Sequence, residues 1–244
     1  MRNKIFRFNM YIIDIKMKKV LIYFLLLFIT SAFTLPVRKL KLIQNLPLHL
    51  SGSQGTNNKL VIYLTGDGGW NDFSQKLTQE IEKGGYGVIS LNTRKYFLKK
   101  QTPDLFALDI EHLVSYYMSE WGKTSFIIGG YSFGADVAAF LPGPLPISLL
   151  AKTNHIALLS PSLSTDFVIN LSDLIGDSKH TKRKYQVAPE LNVTTLPIVC
   201  IFGVNEDLNL KNILLKSEFL TIHELPGSHH YKYDTVLLVN MIGL

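Results

Sequence analysis

Apolar residues along the chain fall into two alternating kinds of segment, short continuous runs and longer runs with helical spacing. The run at 59–64 predicts a buried strand, and apolar residues four positions apart over 72–83 predict a helix. The alternation continues, with strands predicted at 86–91, 125–129, 155–159, 198–202 and 220–225, and helices at 103–121, 134–141 and from about 231. This order is typical of a mostly parallel sheet with helices on both faces.

The longest segment between two predicted strands covers residues 161–196. Connections of this length without strong patterning are uncommon in compact domains and often cover a functional site. We therefore expect a small lid there.

Residues 1–32 have a different pattern, in which Lys18 and Lys19 precede an apolar run at 20–29 and small residues follow at 30–32. This order is typical of a secretory signal peptide. The run is shorter than the about 20 apolar residues that a membrane span needs. We predict a leader over 1–32, with Met17 as an alternative start, and a single domain over 33–244. The expected location is the periplasm, with an uncleaved leader as the membrane-associated alternative.

The net charge of +6 is concentrated in this leader, which holds six basic side chains and one acidic side chain. The rest of the chain is therefore close to neutral, which argues against a nucleic-acid partner. Cys200 is the single cysteine, so no internal disulfide can form. No cluster of residues has metal-ligand spacing, and we expect neither a metal nor a cofactor.

Residues 130–134 read Gly-Tyr-Ser-Phe-Gly, a G-x-S-x-G match between a predicted strand and a helix of small residues. In that context the two glycines allow a tight strand-to-helix turn that exposes the serine hydroxyl. The pattern predicts that Ser132 is a nucleophile. The alternative is a tight glycine turn in which the serine only caps the helix.

A serine nucleophile needs a base and an orienting acid. Glu206 and Asp207 follow the strand predicted at 198–202, and His229 and His230 follow the strand at 220–225. We favour Asp207 over Glu206, because a short carboxylate is easier to hold rigid on a tight loop. We favour His230 over His229, because the spacing of residues 226–230 resembles the histidine loop of α/β-hydrolases.

Stabilising an oxyanion requires two backbone N–H donors. One is expected from Phe133, directly after the nucleophile, and the other from Asp67 in the glycine-rich loop at 66–70. We expect further substrate contacts from Gly68, Trp70 and Tyr131.

Serine, acid and histidine thus follow in order, each after a predicted strand, where open α/β sheets bind their ligands. We predict the α/β class, with an α/β-hydrolase fold, a mostly parallel central sheet and a small lid. The predicted activity is serine ester hydrolysis of a lipid or small ester at the membrane surface.

Several blocks of the sequence also resemble the VirJ/AcvB family of bacterial virulence-associated proteins. They are residues 65–70 (Thr-Gly-Asp-Gly-Gly-Trp) with Arg94, 96–97 and 102–103, residues 130–137 with 166–167, residues 202–203, and residues 226–231 (Pro-Gly-Ser-His-His-Tyr). The sequence departs from the expected pattern at Leu98, in place of a tryptophan, and near Leu210, in place of a cysteine.

The resemblance implies a periplasmic hydrolase that cuts the aminoacyl ester of an aminoacylated phosphatidylglycerol. It also implies an alternative, a periplasmic adaptor that binds secreted virulence factors or secretion-system proteins and whose hydrolase site is silent.

Overall fold

The computed structural model describes residues 17–23, 43–169, 183–206 and 210–244. Contacts divide the chain into two units, Met1–Asn45 and Leu46–Leu244. In the first unit residues 17–23 are helical. Within the described ranges no helix is both long and apolar enough to cross a membrane. The rest of the predicted leader lies outside the described residues, so the signal peptide stays a prediction.

The second unit contains a seven-stranded sheet and a separate two-stranded sheet. In chain order the strands are β1 (Leu48–Ser51), β2 (Lys59–Leu64), β3 (Gly87–Leu91), β4 (Ser125–Tyr131), β5 (Thr153–Leu159), β6 (Ser164–Thr165), β7 (Tyr185–Gln186), β8 (Ile198–Gly203) and β9 (Leu220–Leu225). The large sheet has the order β1-β3-β2-β4-β5-β8-β9. Its neighbouring pairs are parallel, except that β1 runs antiparallel to β3. The mostly parallel sheet is therefore confirmed.

Helices follow most of the parallel strands. They are α1 (Asp72–Lys83), α2 (Thr93–Tyr96), α3 (Pro103–Glu120), α4 (Phe133–Ala138), α5 (Ile147–Leu150), α6 (Val187–Val193), α7 (Leu210–Ile213) and α8 (Thr235–Met241), with a 3-10 turn at Tyr231–Tyr233. The two longest begin where the sequence predicts. The Asn71 side chain caps α1, and α3 starts with a Thr102 cap followed by proline, the usual chemistry of helix starts.

The core lies on both faces of the sheet. On one face Val61 and Tyr63 of β2 belong to a buried cluster that also contains Leu77 of α1 and Leu238 of α8. The intervening residues of β2, Leu60, Ile62 and Leu64, are fully buried as well. Burial of both faces is the arrangement expected of a parallel sheet covered by helices, and it explains why β2 is a continuous apolar run.

The segment between β5 and β8 contains the antiparallel pair β6–β7 and the helix α6, whereas its residues 170–182 lie outside the described ranges. Its start is tied to the loop after β3, because the Gln101 amide donates to the Phe167 carbonyl at 2.8 Å and the Ile169 amide to the Phe97 carbonyl at 2.9 Å. The Phe97 ring also packs edge-on against Phe133 of α4. The predicted lid segment is thereby anchored beside the turn that carries Ser132.

Candidate active site

Ser132 occupies the turn between β4 and α4 with φ 53° and ψ −122°. A residue other than glycine rarely adopts a positive φ, at a cost of about 1–3 kcal/mol, and such strain concentrates at functional sites. Among the described amides of α4, none donates a capping hydrogen bond to the Ser132 side chain. The alternative of a purely capping serine is therefore wrong.

The two glycines of the motif make this turn sterically possible. A Cβ on Gly134 would lie 2.2 Å from the Leu64 carbonyl oxygen, and a Cβ on Gly130 would lie 2.4 Å from the Gly134 carbonyl oxygen. Both distances are far below van der Waals contact, so a side chain at either position would force the strand and the helix apart. The glycines let α4 lie directly against the end of β2, which raises Ser132 above the edge of the sheet.

An open cavity of about 110 Å³ lies in front of Ser132, and we name it the Ser132 cavity. It is lined by Asp67, Ser132, Phe133, Asp136, Ser162, Val168, Ile169 and Arg183. Both residues predicted to supply oxyanion donors thus line the same cavity as Ser132. Phe133 is the first residue of α4, and amides in the first turn of a helix have no carbonyl partner within that helix.

We name the loop after β8, from residue 204 to residue 209, the acid loop. Glu206 is the carboxylate of this loop that the structure describes. One oxygen of Glu206, Oε1, accepts hydrogen bonds from the Ser160 hydroxyl at 2.5 Å and from the Gly203 amide at 2.9 Å. Burial by itself raises the pKa of this carboxyl, but contacts with His229, Ser160 and Gly203 outweigh it, so the pKa lies below its usual value. Asp207, the favoured acid in the sequence analysis, lies outside the described residues.

The two histidines after β9 have different neighbours. Nδ1 of His229 lies 3.7 Å from Oε2 of Glu206, a buried oxygen without a hydrogen-bond partner among the described residues. Nδ1 of His230 lies 2.8 Å from the Tyr131 hydroxyl, and His230 is exposed. The structure therefore brings Glu206 together with His229.

The acid loop and the histidine loop (residues 226–230) are held against each other by their backbones. The Asn205 amide donates to the Gly227 carbonyl at 3.0 Å. A Cβ on Gly203 would lie 2.5 Å from the Ser228 carbonyl oxygen, so only glycine allows this approach. Tyr131, the residue before the nucleophile, donates its hydroxyl to the His229 carbonyl at 3.1 Å. All three segments of the candidate site are therefore physically joined.

Two other predicted substrate contacts lie in the loop after β2. Gly68 is exposed, and the Trp70 ring stacks on His49 of β1 with ring centres 4.1 Å apart. Among the described residues, no group of three or more His, Cys, Asp or Glu side chains is placed to hold a metal ion.

The chain matches a known family, described as bacterial virulence protein (VirJ), over residues 58–242. The chain belongs to the VirJ family. The matched span contains the turn at Ser132, the acid loop and the histidine loop. A comparison with curated proteins gives no significant match.

Several solved structures share the fold of this VirJ family chain. Est1E from Butyrivibrio proteoclasticus, solved with ferulic acid, aligns with a TM-score of 0.56 and 12% identity over 81% of this chain and 92% of the esterase. A lipase-esterase related protein from Clostridium acetobutylicum gives 0.53 and 14% over 81% and 96%. An esterase from Pyrococcus furiosus gives 0.53 and 15% over 80% and 82%. At these identities the likeness establishes the α/β-hydrolase fold, as predicted.

Ser160 belongs to none of the sequence motifs, yet its hydroxyl lies between Glu206 and the Tyr231 hydroxyl. Tyr231 in turn donates to the Ile201 carbonyl at 2.8 Å, which fixes this buried group to β8. The available signal was position, because Ser160 directly follows β5, at the sheet edge where neighbouring parallel strands deliver site residues.

Asp136 is the second residue without an assigned role, although it lies in one of the blocks shared with the VirJ family. Its side chain is 2% exposed, and its carboxylate accepts the Ser162 amide at 2.5 Å. Burial raises the pKa of this carboxyl to about 7, although Ser162, Arg183 and His229 partly oppose the shift. The available signal was a charged residue within a helix otherwise made of small and apolar residues.

We expect the Asp136→Asn variant to gain stability relative to the wild type as the pH rises. The pKa of Asp136 is higher in the folded state than in the unfolded chain. Its contribution to the free energy of unfolding is therefore complete below about pH 4 and is lost as the pH rises to about 7. A shift of this size corresponds to an upper bound of about 4 kcal/mol. Asparagine does not titrate, so the difference in Tm between variant and wild type should grow from pH 4 to pH 8 in thermal unfolding. A difference independent of pH would contradict the shift.

Proposed function

We propose that this VirJ family chain is a serine ester hydrolase with Ser132 as its nucleophile. The observation that carries the proposal is the strained conformation of Ser132 at the mouth of a cavity. A structural turn could relax by exchanging this serine for glycine, whereas an exposed hydroxyl held under strain is useful for nucleophilic attack. The acid loop and the histidine loop support the proposal, because they converge on the same edge of the sheet.

The proposed base is His229, and the proposed orienting acid is Glu206. Nδ1 of His229 faces the carboxylate, which leaves Nε2 as the nitrogen that takes the proton from Ser132. The distance of 3.7 Å is longer than a hydrogen bond. Catalytic hydrogen bonds are often long before substrate binds and shorten in the complex, and the buried Oε2 of Glu206 is available to accept one. Glu206 stays ionised at neutral pH, as an orienting acid must.

In the acylation step the Ser132 oxygen attacks the ester carbonyl carbon while His229 takes the hydroxyl proton. The tetrahedral oxyanion is stabilised by the amides of Phe133 and Asp67. The ester bond then breaks, and His229 gives its proton to the leaving alcohol. A water molecule attacks the acyl-enzyme, again with His229 as base, and releases the carboxylic acid and the Ser132 hydroxyl.

We propose an aminoacylated phosphatidylglycerol as the substrate, cut at the ester between the amino acid and the lipid headgroup. The resemblance to VirJ/AcvB proteins favours this lipid. Charge in the Ser132 cavity supports it, because Arg183 lines the cavity and a guanidinium suits a phosphate. The predicted leader would place the domain beyond the inner membrane, where the headgroups of its outer leaflet are accessible.

The test is hydrolysis of lysyl-, alanyl- and arginyl-phosphatidylglycerol in vesicles by the purified protein. We expect release of the free amino acid and of intact phosphatidylglycerol, measured by mass spectrometry. Vesicles of phosphatidylglycerol alone are the control, and no fatty acid should be released from them. Release of fatty acid, or activity on simple esters without activity on any aminoacyl lipid, would reject this substrate.

A further inference from the structure

Asp136 lies in the first turn of α4, and its backbone amide donates to the carbonyl of Ser132, the residue that precedes the helix, at 3.0 Å. Ser132 and Asp136 both line the Ser132 cavity, and the exposed fraction of Asp136 is only 2%. Ser132 and a buried carboxylate thus line the same cavity.

Burial of this carboxylate is unfavourable unless a cation or several hydrogen bonds stabilise its charge. The Ser162 amide supplies one hydrogen bond, at 2.5 Å. Arg183 and His229 favour the ionised form through their charge, yet burial still dominates and raises the pKa to about 7. The protein by itself therefore leaves Asp136 incompletely stabilised as an anion, and a cation that entered the cavity would stabilise it further.

We propose that Asp136 binds the free ammonium group of the acyl part of the substrate. This inference rests on the proposed function, and it names the feature by which that site selects its esters. In an ester of an amino acid the ammonium nitrogen is two bonds from the carbonyl carbon. Because Ser132 and Asp136 line the same cavity, an ester carbonyl placed at Ser132 would bring its ammonium nitrogen into the cavity that the carboxylate also lines.

The other charges of the cavity agree with this orientation. An aminoacyl ester of a phosphatidylglycerol has its ammonium group on one side of the ester and its phosphate on the other. The Ser132 cavity is lined by the guanidinium of Arg183 and by two carboxylates, the exposed Asp67 and the buried Asp136. A cavity with both charges favours a ligand with both, and an ester whose amine is acylated would bring no further cation to Asp136.

A purely structural role for Asp136 makes a different prediction. If the carboxylate only holds Ser162, then asparagine, whose side-chain oxygen also accepts a hydrogen bond, should preserve activity on every ester alike. If the carboxylate binds ammonium, asparagine should weaken only the substrates that carry this group.

The test compares the p-nitrophenyl ester of alanine with the p-nitrophenyl ester of N-acetylalanine. We expect wild type to prefer the ammonium ester, and Asp136→Asn to lower kcat/KM for that ester about 10- to 100-fold, the range of hydrogen bonds to charged groups. Activity on the N-acetyl ester should stay within about twofold. Asp72→Asn, which removes an exposed carboxylate at the start of α1, is the matched control and should keep the preference.

An equal loss on both esters, or an unchanged preference in Asp136→Asn, would overturn the ammonium subsite. Binding gives a readout independent of turnover, because alanine amide and N-acetylalanine amide can be titrated into the Ser132→Ala variant by calorimetry. We expect the ammonium ligand to bind more tightly, and to lose that advantage in the double variant with Asp136→Asn. Equal binding of the two amides would overturn the subsite. Inactivity of wild type on every ester would instead contradict the proposed function, and the calorimetric comparison would still decide the subsite.

Discussion

The Ser132→Ala variant is expected to lose at least about 1,000-fold in kcat for ester hydrolysis, because removal of a triad nucleophile leaves only the contribution of the oxyanion donors and of binding. A fluorophosphonate probe should label wild type and should not label the variant. The variant should keep the fold, because Gly130 and Gly134 allow the tight turn and the substitution removes only the serine hydroxyl. Equal melting temperatures would establish this.

Ser119→Ala is a matched control, because Ser119 is exposed near the end of α3 and contributes nothing to the Ser132 cavity. It should keep both labelling and turnover. If Ser132→Ala were labelled and active like wild type, the nucleophile assignment would fail. If wild type itself were not labelled, a binding role with a silent site would be the better description of the chain.

The His229→Ala variant should also lose about 1,000-fold or more in kcat, whereas His230→Ala should keep activity within about tenfold. The difference follows from their neighbours, since His229 faces Glu206 at 3.7 Å and His230 contacts the Tyr131 hydroxyl at 2.8 Å. Tyr131 also donates to the His229 carbonyl, so the histidine loop keeps one of its anchors when the His230 ring is removed. Steady-state kinetics on a small neutral ester measures both effects.

Glu206→Gln provides an independent check on this pairing. The glutamine oxygen can still accept from Ser160 and Gly203, but the negative charge beside His229 is lost, so kcat should fall about 100-fold or more. An unchanged kcat in Glu206→Gln, together with a stronger effect of His230→Ala than of His229→Ala, would favour the pair Asp207 and His230 preferred in the sequence analysis.

The elements that carry the site follow closely from local sequence. The helix predicted at 72–83 and the strand predicted at 220–225 have the predicted bounds. For the helix, the periodicity of its apolar residues and the Asn71 cap are both local signals. The turn at Ser132 is equally local, since a strand, two glycines and a helix of small residues leave little alternative to a tight elbow. Strand β1 has only four residues and runs antiparallel at the sheet edge, and its pattern was too short to predict.

Sequence alone predicted most of the strands, the tight turn at Ser132 and the loops after β8 and β9, because each depends on residues that are neighbours in the chain. It left open which member of an adjacent pair faces inward, since a shift of one residue in a loop exchanges Glu206 with Asp207 and His229 with His230. Tertiary contacts determine which neighbours Glu206, His229 and His230 have. These contacts are the backbone hydrogen bond between the acid loop and the histidine loop and the hydrogen bond from the Tyr131 hydroxyl to the His229 carbonyl. The burial of Asp136 beside Ser132 was likewise a tertiary result. This burial depends on Ser162 and Arg183, which line the Ser132 cavity although they are distant from Asp136 in the chain. No local sequence pattern predicts that these residues lie close together.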